Sequence, residues 1–260
     1  MNASVRKLGA LMGKDVTDML KNPTMIVCIV MPVAFVLLYR YIMGNVGGSM
    51  GMMGGADMGA GTDATTVEGL ITYVLLNTAL CMTIGMTSSA TLVYGLAEEK
   101  EKHTLRTLML ANVSAEQIML ARGLVTLVVT AVVEALCFFV SGAPMHLFAP
   151  YMAIGVLGAL PIILLSLVLG LASRDQMTAG LYSVPILLVV IAPMFSGFSP
   201  MLGDIARFLP TGGAASLLRL ATEGALFGSE AVLPLAVTAA WIMLGLVVFK
   251  LLYRKLATDN

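Results

Sequence analysis

Uncharged apolar stretches alternate with short charge-bearing segments along the chain. Six of the stretches read as membrane-spanning helices: Met25 to Tyr39, extended to Met43 across Arg40; Leu70 to Tyr94; Leu124 to Val140; Met152 to Ala172; Met177 to Phe198; and Ala231 to Phe249. A helix rises about 1.5 Å per residue, so roughly 20 residues cross a hydrocarbon core about 30 Å thick. The pattern predicts an all-α fold: one polytopic membrane domain over residues 1–260, with six spans.

Three further segments carry helical pattern without the length to span. From Val5 to Lys21, Leu8, Met12, Val16 and Met19 share one stripe, with Lys7, Lys14, Asp18 and Lys21 roughly opposite. This predicts an amphipathic helix within residues 1–24 lying in the membrane interface; a cytosolic helix packed on a partner is the alternative. Asn22-Pro23 ends it, since a residue before proline is pushed out of the α region. Residues 95–122 form the second segment, with the charged cluster Glu98 to His103 ending span 2. A short amphipathic piece, Thr104 to Leu110, follows, and Ser114 with Gln117 makes a capping-box pattern leading into span 3. Such a piece, held parallel to the membrane, suits docking in a groove of a soluble partner; the bland alternative is a solvated loop. The third segment, 199–230, is too apolar for a free loop and reads as a reentrant helical hairpin broken at Pro210 and Gly212-Gly213, or else as an amphipathic pair lying on the outer leaflet.

Composition agrees with a bilayer environment: 58% of the 260 residues are hydrophobic and 12% charged, and the mean hydropathy is +0.94, outside the range of soluble domains. The net charge of zero carries little information, but its distribution does. One set of flanks holds Arg6, Lys7, Lys14 and Lys21, then Lys100, Lys102, Arg106 and Arg122, then Arg174, then Lys250, Arg254 and Lys255. The alternate set holds Arg207 and Arg219, with Arg40 at the outer end of span 1. The positive-inside rule predicts a multi-pass protein of the cytoplasmic membrane with both termini cytoplasmic. No surface suited to nucleic acid is expected. Cys28, Cys81 and Cys137 fall within apolar stretches and read as packing residues, not as a disulfide framework or zinc site.

The residues Lys14-Asp15, Asn22-Pro23 and Glu98-Glu99-Lys100-Glu101-Lys102-His103-Thr104-Leu105 resemble corresponding elements of the permease family of type-2 ABC exporters. His103 stands where that family commonly has Gly, and Asn112 where it has Pro. The resemblance implies a dimer of permease subunits, two copies or one with a related chain, forming the pathway. It also implies a cytosolic ATP-binding subunit contacting a coupling helix that includes Glu98, Glu99, Lys100, Glu101, Thr104, Leu105 and Leu108, and an N-terminal helix acting as the elbow. The segment at 199–230 would cap the external side. ATP and Mg²⁺ would sit on the partner, with no cofactor in this chain. Consistent with that division, the nearest approach to a phosphate-binding loop, Gly9-Ala-Leu-Met-Gly13-Lys14-Asp15, is one residue short and has Asp where Ser or Thr is needed.

Glu134 is the acid set well inside a span, where a carboxylate costs about 2.5–3.5 kcal/mol on insertion scales. It reads as a pathway residue or as a protonated interhelical tie. Asn77, Thr83 and Thr87 belong to an unusually polar span 2 and either line a route or pack helices together. Met50, Met52, Met53 and Met58 lie in a Gly- and Met-rich loop, Gly44 to Gly61; they offer soft ligands for Cu(I), against the plainer reading of a mobile linker. The leading expectation is therefore an exporter permease for a hydrophobic or amphipathic substrate such as a drug, peptide or lipid-linked molecule, without enzymatic activity of its own. An ATP-independent transporter or channel is the alternative, though no convincing inverted repeat is present. A membrane-embedded enzyme would need a clustered catalytic set, and His103 and His146 fall on opposite sides.

Overall fold

The computed structural model describes residues 3–53, 64–102, 115–196 and 199–258. Among them there are helices and turns and no strand, and six helical segments are long and apolar enough to cross a membrane: Pro23–Met43, Gly69–Glu101, Gln117–Ser141, Met145–Ala172, Gln176–Phe195 and Ser229–Leu252. The order of elements is α1 (Ala3–Lys21), α2 (Pro23–Met53), α3 (Ala64–Met82), a π-helical turn (Thr83–Ala90), α4 (Thr91–Glu101), α5 (Ala115–Ser141), α6 (Phe148–Ala172), α7 (Gln176–Ile191), α8 (Pro200–Ala206), α9 (Gly212–Thr222) and α10 (Val232–Thr258). The helix α3, the π turn and α4 together make span 2.

The spans are not equivalent. Over half of the central window of spans 2 and 4 is buried inside the chain, against 11% for span 6. Spans 2 and 4 therefore form the centre, and spans 1, 3, 5 and 6 wrap it. Leu76, Leu80, Ile84 and Leu96 of span 2 meet Ala159, Ile162 and Leu167 of span 4 in one continuous core. Small residues let the backbones close up: a Cβ on Gly158 of α6 would lie 2.7 Å from that of Ala214 on α9, and one on Gly170 would lie 2.8 Å from Leu96.

The polar residues of span 2 are used internally. The Ser88 and Thr130 hydroxyls lie 2.8 Å apart, Ser166 donates to Ser89 at 3.0 Å, and the Thr87 hydroxyl donates to the Cys28 carbonyl at 3.2 Å. These bonds join span 2 to spans 3, 4 and 1 at the level of the π turn, where the helical hydrogen-bond register changes. At the far end of span 3, Gly142 adopts φ +73°, a left-handed conformation that suits glycine at a helix C-terminus. Arg40 Nη1 donates to the Val140 carbonyl at 2.5 Å, placing a cation where the helix dipole favours one.

Two expectations are corrected. Helix α2 continues to Met53, so Met50, Met52 and Met53 lie on a helix and not in a glycine loop; once span 1 is formed, each added residue gains a backbone bond, and methionine is a good helix former. Met58 lies outside the described residues. In α1 the buried stripe runs Leu11, Asp15 and Met19, while Val16 is exposed, because the face turned to the bundle is chosen by Asp15 as well as by apolar area.

Candidate functional site: the charged node at one end of the bundle

The node is built on α1, whose residues Leu11, Asp15 and Met19 recur every four positions and so share one face. Asn22 then turns the chain: its side-chain oxygen accepts from Thr24 N at 2.9 Å, and Pro23 occupies the first position of α2, where a missing N–H costs nothing. This lays α1 across the near ends of spans 1 to 3, and Met19, Met25 and Val125 pack together beneath it.

Arg122, about two turns into α5, inserts between two carboxylates. Its guanidinium pairs with Asp15 at 3.3 Å and, more closely, with Glu99 on α4. The three side chains are only 7–9% exposed. Lys14 closes the group from the solvent side, donating to Glu99 at 3.0 Å and pairing with Asp18 at 3.4 Å. Burial pushes the Asp15 carboxyl above its ordinary value against the pull of Arg122. For Lys14, burial opposes the charge, but the hydrogen bond and negative charge of Glu99 outweigh it, and its pKa is raised.

The neighbouring acids are also tied within the chain. Glu98 accepts from the Asn22 side-chain amide and, at 2.5 Å, from Lys102. Lys100 donates to the Leu171 carbonyl at 2.6 Å, capping the end of span 4. Glu101 accepts from Gln176 N at 3.3 Å, at the start of span 5. Asp175 caps that same helix through Thr178 N and Oγ1, and these bonds hold its carboxyl below the ordinary range. Of the residues expected to form a coupling surface, Glu98 to Glu101 thus join four helix ends of one chain, and Thr104, Leu105 and Leu108 lie outside the described residues. Asp15 and Arg122 were not singled out as site residues from the sequence. The signal available was a carboxylate centred in the apolar stripe of α1 and an arginine just inside an otherwise uncharged helix.

The mid-bundle candidates sit elsewhere. Glu134 is fully buried on span 3 against Gly155 of span 4: a Cβ there would lie 2.1 Å from Glu134 Oε2. Neither carboxyl oxygen of Glu134, nor the hydroxyl of buried Tyr151, has a hydrogen-bond partner among the described residues. Asn77 donates to the Pro193 carbonyl at 3.4 Å, Thr83 meets Cys137 Sγ at 3.8 Å, and Thr87 bonds span 1. All three are enclosed within one subunit, not brought together on an open wall.

At the opposite end, α8 and α9 form a helical hairpin before span 6. With 7 and 11 residues, neither can cross a bilayer. Helix α9 is buried along Ala214, Leu217, Leu218 and Ala221, whereas Met201, Ile205 and Phe208 of the α8 arm are exposed. Trp241 Nε1 donates to the Phe208 carbonyl at 2.8 Å, and Thr211 Oγ1 to the Val190 carbonyl at 3.0 Å, fastening the hairpin to spans 6 and 5.

Six spans, four of them around a polar-laced pair, with two short helices at one end and an ion-paired helix laid across the other, define a multi-pass membrane protein of permease type. The family model described as ABC-2 family transporter protein matches residues 60–252, well over half of the chain, and the protein belongs to that family. It is the membrane permease domain of an ABC-2 transporter, a domain type that lacks a nucleotide-binding site of its own. No curated protein matches the chain.

Proposed function

We propose that this chain lines the route of an ATP-driven exporter for a hydrophobic or amphipathic substrate, working as a pair of permeases with a separate cytosolic ATP-binding subunit. The basic flanks orient the node end toward the cytoplasm and the α8–α9 hairpin outward, where it caps the route as a reentrant segment. ATP and Mg²⁺ belong to the partner. The observation that carries the reading is the node itself. Lys102 at one edge of residues 103–114 pairs with Glu98, and Arg122 near the other edge pairs with Glu99 and Asp15, so both edges are held by consecutive acids of α4. A force applied to that segment by a closing ATPase pair is delivered to α1 and to spans 2 and 3 together. In this reading Thr104, Leu105 and Leu108 make the contact with the ATPase, and Glu98, Glu99, Lys100 and Glu101 keep the contact rigidly joined to the spans.

The test is co-purification. An ATPase subunit retained with the chain, and lost when Leu105 and Leu108 are changed to Asp with no loss of folded permease, supports the proposal. Undiminished assembly and ATP-dependent transport in that double variant refutes the docking assignment.

A further inference from the structure

The far end of the bundle has a cleft that permease function does not by itself require. It opens between the hairpin and the start of span 6, measures about 140 Å³, and is lined by Arg207, Arg219 and Glu230 beside an apolar wall that includes Leu220, Leu233 and Val237. The sequence places Arg40, Arg207 and Arg219 at this end. Arg40 is engaged at the end of span 3, and the two others converge on this cleft.

We propose that the cleft binds the headgroup of a zwitterionic phospholipid, with its phosphate on Arg207 and Arg219 and its ammonium on Glu230. Each guanidinium has one acidic neighbour on its own helical face: Asp204 at 3.1 Å for Arg207 and Glu223 at 3.8 Å for Arg219. Both pairs are more than half exposed, a setting in which an ion pair holds its partners loosely. A guanidinium has five N–H donors, so donors remain for the oxygens of a phosphate diester. The same acids decide the class of ligand. Asp204, Glu223 and Glu230 outnumber the two arginines by one charge, so a ligand that is only anionic gains little from the local field. One that presents a phosphate and an ammonium together meets both signs.

The apolar part of the wall fits the rest of the lipid. Leu233 and Val237 are one turn apart on span 6 and lead from the cleft along a helix that is mostly uncovered by its own chain. Phe227 is fully exposed at the adjoining turn and Trp241 lies two turns down span 6. Aromatic residues of this kind mark the headgroup depth of a bilayer.

The experiment uses the full chain, delipidated in detergent, with bound lipid measured by native mass spectrometry. The probes are phosphatidylethanolamine, phosphatidylglycerol, soluble phosphoethanolamine and inorganic phosphate. Phosphatidylethanolamine is expected to be retained over phosphatidylglycerol and not to be displaced by either soluble anion. The double variant R207Q/R219Q should lose about tenfold or more in affinity, and R207K/R219K should recover part of that loss. Glu230→Gln should abolish the preference for ethanolamine over glycerol. Thermal midpoints of the variants are measured alongside, and R207Q/R219Q should keep the wild-type midpoint because both arginines are exposed. Retention unchanged in R207Q/R219Q, equal or better retention of phosphatidylglycerol by the native chain, or displacement by inorganic phosphate would each overturn the proposal.

Discussion

Replacing Arg122 by Met asks what the node contributes. Asp15, Glu99 and Arg122 are each under 10% exposed at the side chain, so solvent screening does little to discount their interactions. At 3.3 Å and an effective dielectric of about 20, the attraction of Arg122 for Asp15 alone is about 5 kcal/mol. Desolvation of the partners takes back most of it, and the net worth of such a group against apolar residues of similar volume is near zero. Removing only the arginine is different. Two carboxylates then stay buried with Lys14 as the remaining cation, and the cost is about 3–5 kcal/mol. That cost falls on the docking of α1, whose buried contacts are otherwise few: Leu11, Met19 and part of Met12. The docked-to-undocked ratio of α1 should fall by a factor of about 100 or more. Hydrogen exchange of α1 amides in the detergent-solubilised chain reads this ratio directly, since protection follows the free energy of local opening. The triple variant Asp15→Asn, Glu99→Gln, Arg122→Met removes the charges together and should regain most of the protection. Two results would refute the reasoning: protection in Arg122→Met within about fivefold of wild type, or a triple variant no better protected than the single one.

Two other outcomes are expected. Gly155→Ala puts a Cβ within 2.1 Å of Glu134 Oε2 and should destabilise the folded chain by about 1–3 kcal/mol; Glu134→Ala in the same chain should relieve it, and a thermal midpoint that drops equally with and without the second change would disprove the contact. Lys14 has a folded pKa raised above 10.5, so its contribution to α1 docking is fully present below 10.5 and lost as pH rises through the folded value. The protection of α1 amides, taken relative to their intrinsic base-catalysed exchange, should therefore fall above that pH in the native chain, and an identical protection profile in Lys14→Met would contradict it.

The six spans could be read from the sequence because the bilayer imposes a length and an absence of charge that no loop satisfies. The termini of the helices could not. Glu98, Glu99 and Lys100 look like the start of a loop, yet they extend span 2 to Glu101, since each finds a partner on α1, span 3 or the end of span 4. The two short helices before span 6 follow from an apolar stretch interrupted at Pro210 and Gly212-Gly213, where a Cβ on Gly212 would lie 1.8 Å from the Ala206 carbonyl oxygen. The node was half legible: the acids at 98–101 stood out, but Asp15 and Arg122 are separated by a hundred residues and become a pair only when α1 folds back across span 3. Periodicity reports which face of a helix is apolar, and it cannot report which buried carboxylate will meet a distant arginine.

That pairing bears on how a transport cycle could be driven through this subunit. The far ends of spans 2 and 3 continue to separate segments, toward α2 for one and Gly142 for the other, whereas their near ends are clamped by Glu99 and Arg122 into one body with α1. Higher up, span 2 changes helical register at Thr83–Ala90, and there hydroxyl bonds to spans 1, 3 and 4 lie beside the apolar packing of Ile84. Under the coupling proposed above, a force entering at residues 103–114 would reach the near ends of spans 2 and 3 and α1 as one clamped body.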